Sequence, residues 1–247
     1  MRKHINSALT TRRLPGSLSL AAALAVGLNA SAQTYLWQGH ADVGVNYENS
    51  AWDLHVHSHV DGEFEPDEVV LGVDQVAAQG TVAAGSQWSF LGSAGAPVWI
   101  LPQGPNPALL FLGLGAEELA DGIFVNNAVT LSLTGVNGPR GNFALYRTDM
   151  FGNPTVLMNA GDGITVADTV TLQAGSHGHA NWAFTAPGRY EIAFSAAGEL
   201  VGGGLTSSGP VTYTFDVAPI PEPGTAALLG LGLAALALAR SRGPAQN

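Results

Sequence analysis

The sequence predicts an all-β fold, a two-layer antiparallel β-sandwich, and three observations carry that expectation. Short segments alternate apolar and polar residues with a period of two, Gly and Pro (32 and 14 of 247 residues) punctuate them, and helix-period patterning is nearly absent between the two ends. Residues 35–45 read as the first strand, with His40 and Asp42 on one face. After the turn-rich residues 46–50 comes an unusual stretch, residues 53–65, in which every odd position can bind a cation and most even positions are apolar. As one half-buried strand it would turn Leu54, Val56, Val60 and Phe64 to the core. Asp53, His55, His57, His59, Asp61, Glu63 and Glu65 would then share the other face. As hairpin partners the two strands set His40 and Asp42 within cross-strand reach of His55 or His57.

Further along, Val69–Val73 and residues 77–82 continue the strands, residues 88–91 precede a turn, and Pro97–Leu101 is a buried strand bounded by prolines. Residues 108–114 are apolar, and residues 116–120 form the only helical turn expected in the domain. Residues 129–136 and 143–146, joined by turn chemistry at 137–141, look like part of an antiparallel meander. Strands at 155–158 and 170–172 flank Gly161-Asp162-Gly163, which lacks the full calcium-loop pattern. A second histidine motif, His177-Gly178-His179, comes next, and the strands at 189–194 and Val211–Val217 close the domain.

The ends have a different character. Arg2, Lys3, Arg12 and Arg13, an apolar run at 18–28 and Ala30-Ser31-Ala32 give the basic, hydrophobic and small-residue order of a secretory signal, so residues 1–32 read as a signal peptide. At the other end Pro221-Glu222-Pro223-Gly224 precedes an apolar run at 225–239, closed by Arg240 and Arg242. Fifteen helical residues reach about 22 Å, short of a hydrocarbon core of about 30 Å. The order of Pro-Glu-Pro, apolar transmembrane helix and basic tail over residues 221–247 resembles the PEP-CTERM sorting signal. That resemblance implies an exosortase as partner, transient membrane anchoring, removal of the tail, and delivery to the outer surface or extracellular matrix of a Gram-negative bacterium.

Between them, residues 33–220 form the domain. It holds 18 of the 19 acidic residues but only Arg140, Arg147 and Arg189 of the 9 basic ones, a net charge of −15 with histidine neutral. Such a field repels nucleic acid and concentrates cations, although it also serves plain solubility. No cysteine is present, so neither disulfides nor thiolate ligands enter the account.

All six histidines of the domain fall at His40, at His55, His57 and His59, and at His177 and His179. Neutral imidazole suits zinc or a similar divalent metal, and carboxylates complete such sites, so His40, Asp42, His55, His57, His59, His177 and His179 are the candidate ligands. A histidine pair at i and i+2 on one strand, joined by a third from another, makes a tetrahedral cradle, and the two motifs are expected to close on one ion as the chain folds. The plainer alternatives are a polar strand face with clustered histidines and, for His177 and His179, a polar loop capping a strand.

The segments at 39–43, 52–57, 96–103 and 177–190, the last reading His-Gly-His-Ala-Asn-Trp-Ala-Phe-Thr-Ala-Pro-Gly-Arg-Tyr, together resemble the choice-of-anchor M, or surface-anchored repeat, family. The resemblance runs from about Tyr35 to Val217 and implies a β-rich surface domain associated with metal-type ABC uptake systems, expressed under a zinc-uptake repressor. It carries His40, Asp42, His177, His179, Asn181 and Trp182 over as motif positions. The leading expectation is an exported zinc-binding protein that captures or buffers scarce metal. A non-enzymatic matrix or adhesion protein is the second. A zinc hydrolase with Asp61 or Glu63 as base is the third, ranked last because no His-Glu-x-x-His helix, Gly-x-Ser-x-Gly elbow or phosphate-binding glycine loop occurs.

Overall fold

The computed structural model describes residues 33–218. The expected signal peptide and the sorting helix lie outside the described residues. In chain order the first strands are β1 (Thr34–Leu36), β2 (Gly39–Glu48), β3 (Ala51–Ser58), β4 (Gly62–Phe64), β5 (Val69–Val73), β6 (Gln79–Thr81), β7 (Pro97–Leu101) and β8 (Leu110–Gly115). There follow β9 (Ala128–Asn137), β10 (Phe143–Thr148), β11 (Pro154–Asn159), β12 (Thr169–Gln173) and β13 (His177–His179). The last are β14 (Asn181–Phe184), β15 (Gly188–Glu199), β16 (Leu205–Ser207) and β17 (Val211–Val217).

These strands build an all-β, sandwich-like domain from three sheets, ordered β1-β5-β17-β15-β9-β12 with β16 added to β15, then β11-β10-β14-β7-β6, and β13-β8-β2-β3-β4. Most pairs are antiparallel, while β1/β5, β5/β17 and β2/β8 are parallel. Parallel pairing needs a long crossover, and β2 reaches β8 only after three intervening strands have entered other ladders. One core joins all three sheets, with Val43, Leu112, Leu71, Phe215, Leu101 and Trp182 buried in it. Tyr190 donates its hydroxyl to the Ala186 carbonyl at 2.9 Å, a tyrosine-corner contact that fixes the entry into β15.

Four expectations are corrected. The first strand is two, β1 and β2, broken at Trp37 and Gln38, and β1 belongs to a different sheet. The strand expected over 53–65 ends at Ser58, because its hydroxyl accepts from the Val60 and Asp61 amides at 3.4 and 3.2 Å and sets a turn. Gly62, at φ +93, then lets the chain return as β4. Val60, expected in the core, is 81% exposed at that turn. The helical turn at 116–120 is a single reversal held by the Leu119 amide donating to the Ala116 carbonyl at 3.2 Å, and short 3-10 turns form elsewhere, the longest at Ser86–Leu91. The supposed meander parts at its turn, since β9 enters one sheet and β10 another.

The hairpin of β2 and β3 forms as expected. Asn49 and Ser50 carry φ of +52 and +64, the left-handed pair that a two-residue hairpin needs. The ladder sets Asp42 opposite His57 and Gly44 opposite His55. Strand alternation sends Ala41, Val43, Val45, Leu54, Val56, Leu110, Leu112 and Leu114 into the core, which turns His40, Asp42, Gly44, His55, His57, Phe111, Gly113 and Gly115 to the other face.

Candidate metal centre

Three successive rows cross that face. One runs Phe111, His40 and then His59, whose amide donates to the His40 carbonyl at 3.1 Å. The next runs His179, Gly113, Asp42, His57 and Glu63 across all five strands. The third runs His177, Gly115, Gly44 and His55. Every histidine of residues 33–218 therefore lies on one face of one sheet.

Glycine makes the crowding workable. His40 on β2 and the pair on β13 are separated by β8, a span of about 10 Å at normal strand spacing. Strand β8 presents Gly113 and Gly115 there, so the imidazoles lean across an open strip. A Cβ on Gly113 would collide with Asp42 Oδ1 and sit 3.1 Å from His179 Cε1, and a Cβ on Gly44 would collide with the His55 ring. The ring centroids of His40 stand 5.5 Å from His177 and 5.0 Å from His179, with those two 5.4 Å apart. Phe111 stacks flat on His179 at 3.7 Å and 9°, fixing that ring.

Three groups of side chains stand close enough to hold an ion: His40, His177 and His179; His40, Asp42 and His59; and His55, His57, Glu63 and Glu118. Within each, one ligand atom per residue lies within 4.8 Å of the others. Tetrahedral zinc with bonds of about 2.0–2.1 Å holds its ligand atoms about 3.4 Å apart, so modest side-chain rotation would close such a site. The motifs from the two ends of the domain meet through His40. The structure does not gather all seven candidates around one point, because His55 and His57 group with Glu63 and Glu118 instead. Asp61 is taken up by the Ser58 hydroxyl at 3.2 Å.

Asp42 is the electrostatic centre of the face. It is only 1% exposed, and neither carboxylate oxygen receives a hydrogen bond from the described residues. Its Oδ2 lies 3.4 Å from His40 Nε2 and 3.5 Å from His59 Nε2. His40 Nε2, His179 Nδ1 and His55 Nδ1 are likewise buried without a hydrogen-bond partner. Buried polar atoms left so cost stability unless something else satisfies them. Burial, outweighing the attraction of Asp42 and helped by neighbouring imidazoles, lowers the pKa of both His40 and His179 and favours the neutral form that can ligate a cation.

Further contacts orient the ring of side chains. His177 Nδ1 lies 2.6 Å from Glu117 Oε1, and His57 Nδ1 lies 3.2 Å from Glu118 Oε1. A carboxylate placed as Glu117 is on His177 Nδ1 fixes the tautomer and direction of a ligand imidazole. Arg147 Nε donates to the His179 carbonyl at 3.1 Å and Trp182 Nε1 to the Leu112 carbonyl at 3.1 Å, tying β13 and β8 to the second sheet. Asn181 exchanges hydrogen bonds with Gln103 at 3.0 Å, so Asn181 and Trp182 support the site from behind. Glu117, Glu118 and the glycines of β8 are participants that sequence reading passed over. The alternation Leu112-Gly113-Leu114-Gly115 was the available signal for the glycines.

Residues 219–242 match the PEP-CTERM protein-sorting motif. The chain carries a PEP-CTERM sorting signal. It is accordingly an exported protein, sorted to the cell envelope through exosortase-type machinery. The PEP-CTERM motif begins two residues beyond the end of β17 at Val217, so the folded domain leads straight into it. No curated protein and no solved structure matches the chain. Among the described residues no helix is long and apolar enough to cross a membrane, and the apolar run at 225–239 lies outside them.

Proposed function

We propose that this exported protein binds a divalent transition metal, zinc foremost, through His40, His177 and His179 with Asp42 and His59 beside them, and that it captures or buffers the ion at the cell surface. The observation that carries the reading is Asp42, a buried carboxylate with no hydrogen bond among the described residues, close to His40 and His179, whose pKa values burial lowers. A cation is the partner that satisfies both, since neutral nitrogen donors and a carboxylate make a borderline-soft donor set. The surplus of negative charge over residues 33–220 would raise the local cation concentration. The resemblance to choice-of-anchor M proteins supports the same reading and implies association with a metal-type ABC uptake system. Binding rather than turnover is proposed, because no hydrolase motif accompanies the cluster.

The test is calorimetric titration of the untagged full chain, in mild detergent, with zinc chloride. His177→Ala/His179→Ala should weaken the tightest binding event at least tenfold. Equal affinity in the variant and the parent protein overturns the reading.

A further inference from the structure

We propose that the histidine face holds two divalent ions in separate sites, the second formed by His55, His57, Glu63 and Glu118. The count of two rests on the metal-binding reading above for its first ion; the second site shares no ligand with His40, His177 and His179.

Geometry carries the second site. His57 Nδ1 and His55 Nε2 stand 3.2 and 3.9 Å from Glu118 Oε1, and His57 Nδ1 stands 4.0 Å from Glu63 Oε1. Those separations bracket the spacing of about 3.4 Å that a tetrahedral ion imposes on its ligand atoms. The ligands come from β3, β4 and the 116–119 reversal, whose placement is fixed by the Ala116 amide donating to the Ser176 carbonyl at 2.8 Å. Against them lies a recess of about 10 Å³ lined in part by Asp42, Gly44, His55, His57, Gly115 and Glu118, room for one water-sized body or a bare ion. Two glycines floor it, and His55 folds over Gly44, where any Cβ would collide with its ring. His55 is 4% exposed, with Nδ1 3.4 Å from Asp53 Oδ2 and Nε2 toward Glu118, so a buried imidazole presents one nitrogen to this spot.

The chemistry of the two sites differs. Three imidazoles beside Asp42 favour zinc, copper or nickel, whereas two imidazoles and two carboxylates balance a dication fully and also accept harder ions such as manganese. Asp42 stands between the groups, lining the recess on one side while its Oδ2 approaches His40 and His59 on the other. One carboxylate facing both positions offsets the repulsion between two cations.

Native mass spectrometry of the untagged full chain, released from detergent after equilibration with zinc, reads the count directly. Two ions are expected. His57→Ala and Glu118→Gln, both at half-exposed positions where the fold should hold, are each expected to leave one. His179→Ala should also leave one, and combining it with His57→Ala should leave none; thermal melts of each variant verify folding. One ion that His179→Ala removes and His57→Ala spares overturns the second site while leaving the proposed function standing. A single ion lost in either variant overturns it in favour of one shared site, and two ions that survive both Glu118→Gln and His57→Ala overturn the ligand assignment. No bound zinc in the parent protein overturns both readings.

Discussion

Gly113 and Gly115 lie two residues apart on the same face of β8, and alanine should have opposite effects at the two positions. Neither glycine has a positive φ, so alanine fits the backbone at both. At Gly115 the new methyl would meet Asp42 Cβ at 3.4 Å and His177 Cβ at 3.8 Å, ordinary contact distances. Stiffening the unfolded chain then dominates, and Gly115→Ala should gain about 0.4–1 kcal/mol. At Gly113 the methyl would collide with Asp42 Oδ1 and press on His179 Cε1 at 3.1 Å. Asp42 is 1% exposed and cannot swing into solvent without dragging β2, so overpacking of about 1–3 kcal/mol outweighs the entropy gain. The two variants should therefore differ by about 1–3 kcal/mol, or roughly 2–12 °C in Tm for a domain of this size. Zinc affinity at the His40, His177 and His179 site should fall at least tenfold in Gly113→Ala, where two candidate ligands are displaced, and stay put at that site in Gly115→Ala. Thermal melts and calorimetric titration of both variants supply the measurement. Matching midpoints and matching affinities would refute the claim that Gly113 opens the space in which Asp42 and His179 meet.

Protonation offers a second handle. His40 and His179 have folded pKa values lowered from 6.5, chiefly by burial, so the unfolded chain takes up protons first as pH falls. Stability is fully present above about pH 6.5 and declines as pH drops toward the lowered folded values. Denaturant midpoints at pH 8 and pH 5.5 should show that loss, and zinc affinity should fall over the same interval because protons compete for the nitrogens. Adding a chelator to zinc-loaded protein should lower the unfolding free energy by about 2.7 kcal/mol when free zinc had been a hundredfold above its Kd, measured by denaturation with and without chelator. Asp168 accepts from the Asn159 and Thr165 amides at 2.7 Å each and from the Thr165 hydroxyl at 3.1 Å. Asp168→Ala should cost about 3 kcal/mol in denaturant unfolding with zinc binding unchanged, since the loss is of buried hydrogen bonds outside the metal face.

Local pattern and long-range pairing contributed unequally to what could be read beforehand. Pro97–Leu101 and Val211–Val217 formed strands with the expected bounds, because an apolar run between prolines and a clean alternation each leave little choice. The facing of His55 and His57 away from the core followed from the same period of two. Residues 53–65 misled because the alternation continues through His59 and Asp61 while Ser58 and Gly62 turn the backbone underneath it. Glu117 and Glu118 were hidden for another reason: their relation to His177 and His57 arises from β8 pairing parallel to β2 and antiparallel to β13, and no short-range pattern announces a contact across some sixty residues. Long-range pairing likewise divided β9, beside β12 and β15, from β10, beside β11 and β14, although the turn between them suggested a meander.

The register of this sheet explains how so polar a face keeps its geometry. On β2, Ala41, Val43 and Val45 alternate with His40, Asp42 and Gly44, and on β8 Leu110, Leu112 and Leu114 alternate with Phe111, Gly113 and Gly115. A slip of one residue along β2 would drive His40 and Asp42 into the core and expose valine, and one along β8 would expose leucine and leave glycines inside, at a cost of several buried aliphatic side chains of about 1.5–3 kcal/mol each. The core therefore fixes His40, His55 and His57 from the opposite side of the same strands, while pairing of β13 with β8 and the His59 amide bond to the His40 carbonyl place the other three imidazoles. That separation of roles is why the unpartnered atoms of Asp42, His40, His55 and His179 can persist: the aliphatic layer beneath offsets their cost, leaving their lone pairs free for a ligand from outside the chain.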